Sequence, residues 1–284
     1  MTETLAAGSA TIWGPAVAML IGVLGTSVIH LSKGFMRRGI TDRSRVIYTT
    51  GVLMNFTNPL WVIIANRFAP TVFYTSMYGL GLIPLLIFSR TVLGERLHPR
   101  QYRGIAVIVL GTILIGVGNL LGGKPSLYAA DRTTLMLIAG SWVVGAPLLS
   151  RIIRRRPVRF QEYIFGIAAG GLAALEAVVK GVAQAGPTGS TFLPQNPESW
   201  VLFAASFLGA AGAFGMIQWS YFRQCRASMM GSLYDVAYVT MPLILTALLV
   251  DQPVLGAWSI AGILLLLLGV SETGRVTETV EVTG

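Results

Sequence analysis

The chain has 284 residues, of which 54% are hydrophobic and only 12% charged, with a mean hydropathy of +0.68. A soluble domain carries roughly 25% charged residues. This composition therefore excludes a soluble enzyme, because too little polar surface is available to coat the apolar mass, and lipid must solvate it instead.

The 33 glycines suit helices that approach one another closely within a bilayer. A lone cysteine, Cys225, excludes an internal disulfide framework and a cysteine-based metal cluster within one chain. No basic segment precedes the first apolar run, whereas Lys33, Arg37 and Arg38 follow it. That is the pattern of a stop-transfer helix and not of a cleaved leader. One membrane domain over 1–284 is expected, multi-pass, in the inner or plasma membrane of the cell.

About 20 apolar residues at 1.5 Å each cross a hydrocarbon layer of ~30 Å. Nine runs meet that test: 12–31, 47–66, 69–89, 103–122, 133–151, 163–183, 200–221, 229–250 and 254–271. The first ends near His30, which reads as an interfacial histidine. The second contains Asn55-Phe56-Thr57-Asn58-Pro59, where the proline removes an amide donor and leaves the carbonyl of Asn55 free. Such a polar stretch survives in a membrane only against protein or a water-filled cavity. Asn66-Arg67-Phe68-Ala69-Pro70 turns the chain into the third run, where Tyr74 and Tyr78 can line a cavity or simply pack.

In the sixth run Glu176 and Lys180 lie four residues apart, acid first, the favourable order for an ion pair on one helix face. Lys180 stands near the end of its run, from which its stem can snorkel to the headgroups. Gly166 and Gly170, and Gly209, Gly212 and Gly215 in the seventh run, read as close-packing faces. The seventh run also brings Gln218 and Trp219. In the eighth, Gly231, Asp235, Tyr238 and Pro242 share a face, and Asp235 has no partner nearby in sequence. Asp251-Gln252-Pro253 leads into the last run.

Basic residues alternate between loops. Odd-numbered loops and the tail hold every one of the 21 Lys and Arg residues except Arg67, Lys124, Arg132 and Lys180. Because Lys and Arg are retained in the cytoplasm, the N-terminus is expected outside and the C-terminus inside. The net charge of +9 then reads as a belt beside anionic headgroups, and no nucleic-acid partner is expected.

Two stretches resemble each other in order: Leu31-Ser32-Lys33-Gly34 with Val178-Val179-Lys180-Gly181, Pro84 with Pro242, and Gly104-Ile105-Ala106-Val107 with Ser259-Ile260-Ala261-Gly262. The expected fold is accordingly an all-α polytopic membrane protein of nine transmembrane helices. Residues 12–122 form a first four-helix repeat, 133–151 a linking helix, and 163–271 a second repeat inverted by that odd spacer. Inverted repeats are the architecture of secondary transporters.

These residues resemble the drug/metabolite transporter superfamily. Gly25-Thr26-Ser27-Val28-Ile29-His30-Leu31-Ser32-Lys33-Gly34-Phe35 is similar to the end of the first helix of small multidrug resistance proteins. Gly94-Glu95-Arg96-Leu97, with Gln101, Gly104 and Gly111, resembles the junction before the last helix of an EamA-type repeat. Nine helices, together with Asn66-Arg67-Phe68-Ala69-Pro70-Thr71, Val179-Lys180-Gly181 and Trp219-Ser220-Tyr221-Phe222-Arg223-Gln224, are more similar to the NIPA-type magnesium transporters. The glutamate that binds protons and drugs in the multidrug family falls on Gly22 here, and on Ala169 in the second repeat. Neither can ionise.

The resemblance implies a secondary transporter of a small solute, with magnesium as the first expectation and export of an organic solute as the alternative. For magnesium, Asp235 and Glu176 would be the metal-binding carboxylates, with Asn55 and Asn58 adding oxygens. For an organic metabolite, amino acid or cationic drug, Asp235 would be the counter-charge, with Tyr238, Tyr234 and Trp219 as a platform and Gln218 beside them. A non-transporting membrane partner is the remaining alternative, and a homodimer is open to either. Neither an HExxH nor a Gly-x-Ser-x-Gly segment occurs, so no enzyme is expected. Nor does a glycine loop followed by Lys-Ser/Thr, and neither ATP nor another cofactor is expected.

Overall fold

The computed structural model describes residues 2–95, 98–122, 125–187, 189–250 and 255–281. Arg96, Leu97, Lys124 and the Asp251-Gln252-Pro253 junction lie outside the described residues. The chain is a helical bundle built from α1 (Thr2–Thr41), α2 (Arg45–Asn55), α3 (Asn58–Phe68), α4 (Thr71–Thr75), α5 (Leu82–Thr91), α6 (Pro99–Leu121), α7 (Arg132–Ile153), α8 (Val158–Gln184), α9 (Pro197–Phe222), α10 (Ala227–Leu249) and α11 (Ala257–Glu281). A two-residue hairpin, Ala185–Gly186 against Gly189–Ser190, is the one exception to helix among the described residues. Among the described residues seven helical spans, with Thr71–Thr91 counted as one, are long and apolar enough to cross a membrane, and the protein is a multi-span membrane protein.

Two expected helices are interrupted. The second run divides at Phe56–Thr57 into α2 and α3, each 11 residues long. Pro59 cannot donate to Asn55, so the ladder stops, and side chains staple the gap. The Thr57 hydroxyl donates to Met54 O at 2.7 Å and the Trp61 indole donates to Thr57 Oγ1 at 3.0 Å. The third run divides into α4 and α5 around a 3₁₀ turn, Tyr78–Gly81. A Cβ on Gly81 would collide with the His30 ring and the Thr26 hydroxyl, so glycine lets this turn press against α1. α1 in turn runs well past the expected end at residue 31, to Thr41.

Helix α8 is the axis of the bundle, buried continuously from Ala168 to Gln184. A helix apolar around its circumference belongs in such a position. α7 is peripheral, with Leu137, Val144 and Ile152 exposed on a face suited to lipid. Gly166 packs on Leu233, Gly170 on Tyr234 O, and Gly209 and Gly212 on Leu172, as close-packing faces require, whereas Gly215 meets nothing within 4 Å. α6 and α11 cross antiparallel at paired glycines. A Cβ on either member of Gly104/Gly269 would lie 2.6 Å from the other's carbonyl oxygen, and for Gly111/Gly262 the distance is 2.7 Å.

The connections sort to two ends. After α9, Arg226 grips Glu162 of α8 through Nε (3.0 Å) and a terminal nitrogen (2.7 Å), and Arg223 donates to Arg154 O at the end of α7. At the opposite end, Gln184 donates to Ile63 O of α3, Asp131 N donates to Leu249 O, and Arg132 pairs with Glu198.

Candidate functional site

A buried polar cluster lies where α1, the 3₁₀ turn and α10 meet. Thr26, His30 and Lys33 occupy successive turns of one face of α1, and all three are buried. Nε2 of His30 lies 2.8 Å from both carboxylate oxygens of Asp235 on α10. Lys33 Nζ is 3.9 Å from Asp235 Oδ1 and 3.7 Å from the centroid of the Tyr234 ring. Tyr234 and Tyr238 stack at 5.7 Å, and Tyr78 packs on Tyr238 at 4.0 Å. Three aromatic rings thus enclose one carboxylate and two bases.

Two expectations are corrected by this arrangement, and the reading of Asp235 is completed. His30 is not interfacial: it is fully buried and holds Asp235. Lys33 is not a loop residue, because α1 continues for two further turns and carries it inside. Asp235 has no partner nearby in sequence, as read above; its partners come from a helix some 205 residues earlier in the chain. The only trace of this in the sequence is the spacing Thr26-His30-Lys33, which becomes one helix face once α1 is known to extend past residue 31.

A second buried pair joins Lys180 to Glu176 within α8, with Lys180 Nζ 4.2 Å from the Phe207 ring centroid. The pairing is as expected, but Lys180 does not snorkel: its side chain is wholly enclosed by α9 and its own helix. Glu176 borders a cavity of about 550 Å³ between α2, α3, α8 and α9. Asn55, Phe56, Asn58 and Pro59, the residues of the helix break, line it together with Tyr234, Phe207 and Phe214.

The cavity therefore unites Asn55, Asn58, Glu176 and Tyr234. Asp235 and Tyr238 lie in the neighbouring aromatic cluster and do not line it. Gln218 stands apart, accepting from the Tyr48 hydroxyl at 2.9 Å, and Trp219 is exposed on the outside of the bundle beside Arg223. Trp219 thus misses the aromatic platform expected for it. Its position on α9 faces away from Tyr234 and Tyr238. Among the described residues no group of three His, Cys, Asp or Glu side chains is arranged to hold a metal ion.

Outside the spans, burial pushes the Cys225 thiol up to about 12. Burial also holds the Glu95 carboxyl above the usual carboxylate range, against the opposing pull of Arg37 and Arg226. The Arg226 guanidinium is raised by its hydrogen bonds to Glu162. Compared with protein-family models, with curated proteins and with solved structures, the chain matches none.

Proposed function

We propose that the protein is a secondary transporter of a small organic solute, related in plan to the drug/metabolite transporters that its sequence resembles, with its N-terminus outside. The observation that carries the reading is the broken helix. Irregular backbone within a membrane protein is tolerated where it is buried in protein or lines a cavity, and interrupted helices form the binding sites of many transporters. Here the interruption between Asn55 and Asn58 opens onto the cavity that Glu176 and Tyr234 also border. Two amides and a stacked phenol offer donors and acceptors to a polar solute, and Phe207 and Phe214 offer apolar surface.

Charge balance favours an organic solute over magnesium. Each buried carboxylate already faces a base, Glu176 facing Lys180 and Asp235 facing His30 and Lys33. A dication needs oxygen ligands whose negative charge is free to meet it. Magnesium would have to draw Glu176 away from Lys180.

The test is flux into proteoliposomes, using labelled amino acids, polyamines and aromatic amines beside an internal magnesium-sensitive dye. Uptake of an organic compound above empty vesicles, reduced tenfold or more by Asn58→Ala, is the expected result. Flux of magnesium alone would replace the substrate class. Failure of the whole panel to exceed empty vesicles would overturn the transport reading.

A further inference from the structure

The hydrogen-bond pattern around His30 fixes how many protons the site holds. Nδ1 lies 2.8 Å from the Thr26 carbonyl oxygen, which can only accept, and 3.1 Å from Thr26 Oγ1. The hydroxyl hydrogen is committed elsewhere, since Thr26 Oγ1 donates to Tyr78 O at 2.7 Å. Nδ1 must therefore carry a proton. On the other side of the ring, Nε2 is 2.8 Å from each oxygen of Asp235, and a contact that short also requires a proton between nitrogen and carboxylate. The arrangement is the proton-loaded form, whether written as imidazolium with carboxylate or as imidazole with carboxylic acid.

Loss of that one proton leaves two lone pairs opposed, the imidazole nitrogen against the carboxylate. Moving the remaining proton to Nε2 does not relieve the conflict, because Nδ1 would then face the Thr26 carbonyl with no hydrogen to offer. Lys33 is placed to take over. Its ammonium makes no hydrogen bond among the described residues, rests over the Tyr234 ring and lies 3.9 Å from Asp235 Oδ1. The titratable groups facing His30 are thus Lys33 on its own helix, Tyr78 from the 3₁₀ turn, and Tyr234, Asp235 and Tyr238 on α10.

We propose that His30 and Asp235 form a proton-binding site whose unloading transfers Asp235 from His30 to Lys33 and loosens α1 from α10. The proposal deepens the transport reading and rests on it for its purpose: the proton would be the ion whose binding biases one arrangement of the bundle over another. The charge balance closes, since one proton leaves, His30 ends neutral with its hydrogen on Nδ1, and the Asp235 carboxylate is met by the Lys33 ammonium.

The experiment needs no transported compound. The chain has two histidines, His30 and His98, so ¹⁵N-histidine spectra of the full-length protein in lipid nanodiscs give one buried signal and one reference from an exposed position. Spin labels at Leu20 on α1 and Leu248 on α10, both exposed, with Cys225 replaced by Ala, report the separation of the two helices. The expected result is the loss of one proton from the His30–Asp235 pair as the pH is raised, read as a change at His30 Nε2, with a shift in label distance over the same interval. His30→Gln and Asp235→Asn should each abolish the pH dependence of that distance.

A His30 Nε2 signal that does not change with pH in the wild-type protein would overturn the proposal, since either form of the loaded pair must lose the proton that Nε2 and Asp235 share. So would a label distance constant across the His30 transition, or one whose pH dependence survives both substitutions. Since no solute is involved, a proton-linked distance change with no flux in the vesicle assay would sink the transport reading and leave the proton site standing.

Discussion

Two buried ion pairs of similar composition behave as opposites in this fold. Glu176 and Lys180 share one helix and are four residues apart, so the pair moves with α8 and survives any rearrangement between helices. His30, Lys33 and Asp235 bridge α1 and α10, and their contacts exist only while those helices stay together. The first pair neutralises charge beside a cavity, and the second makes neutralisation conditional on helix packing. Only the second can convert a local protonation change into movement.

The largest break in this comparison should come from Asp235→Ala. It leaves two buried bases without a counter-charge, and removing one partner of a buried pair costs about 3–5 kcal/mol. Thermal unfolding in detergent at neutral pH should show Asp235→Ala melting below both Glu176→Gln and Gly81→Ala. A melting shift no larger than that of Glu176→Gln would show that the two pairs are equivalent after all.

Gly81→Ala tests the same site from the 3₁₀ turn. The added methyl meets the His30 ring, and overpacking of this kind costs roughly 1–3 kcal/mol. In a His30→Ala background the penalty should shrink to the part owed to the Thr26 hydroxyl, as read from a double-mutant melting cycle. An unchanged penalty would place the strain elsewhere. Replacing the intrahelical pair as a unit, Glu176→Gln with Lys180→Met, should alter stability by less than about 1 kcal/mol, because removing both charges avoids leaving either one buried alone. A large loss would mean that the pair has a structural partner beyond its own helix.

The smallest effect is expected at the polar end. Burial raises the folded-state pKa of Glu95 above its ordinary 4.5, so ionising it opposes folding once the pH passes that value. Glu95→Gln should therefore raise the melting temperature slightly at neutral pH, and the difference should disappear near pH 4, where both folded and unfolded chains hold the proton. A difference that persists at pH 4 would assign the effect to packing.

Much of the fold is legible in the sequence because lipid imposes a length on apolar runs, and seven of them return as long apolar helices. The Glu176–Lys180 pair is legible for a similar reason, since helical spacing alone brings its members together. Hydropathy marks where lipid is and not where a helix ends, which is why Lys33 reads as a loop residue while α1 carries it inside. Pro59 announces a disturbance, yet its outcome, two helices with a stapled gap, depends on the Trp61 and Thr57 side chains closing it. The bond between His30 and Asp235 leaves no periodic trace, because nothing local in either segment specifies its partner.

The reciprocal glycines between α6 and α11 set a mechanical boundary on whatever else moves. Each missing Cβ lies opposite the other helix's carbonyl, and Ile108, Ile115, Leu265 and Thr273 stand beside the four contact points. At these points the two backbones are as close as a missing side chain allows. The seam therefore fastens α6 to α11 backbone to backbone, and any side chain larger than hydrogen at the four glycines would have to push the two helices apart.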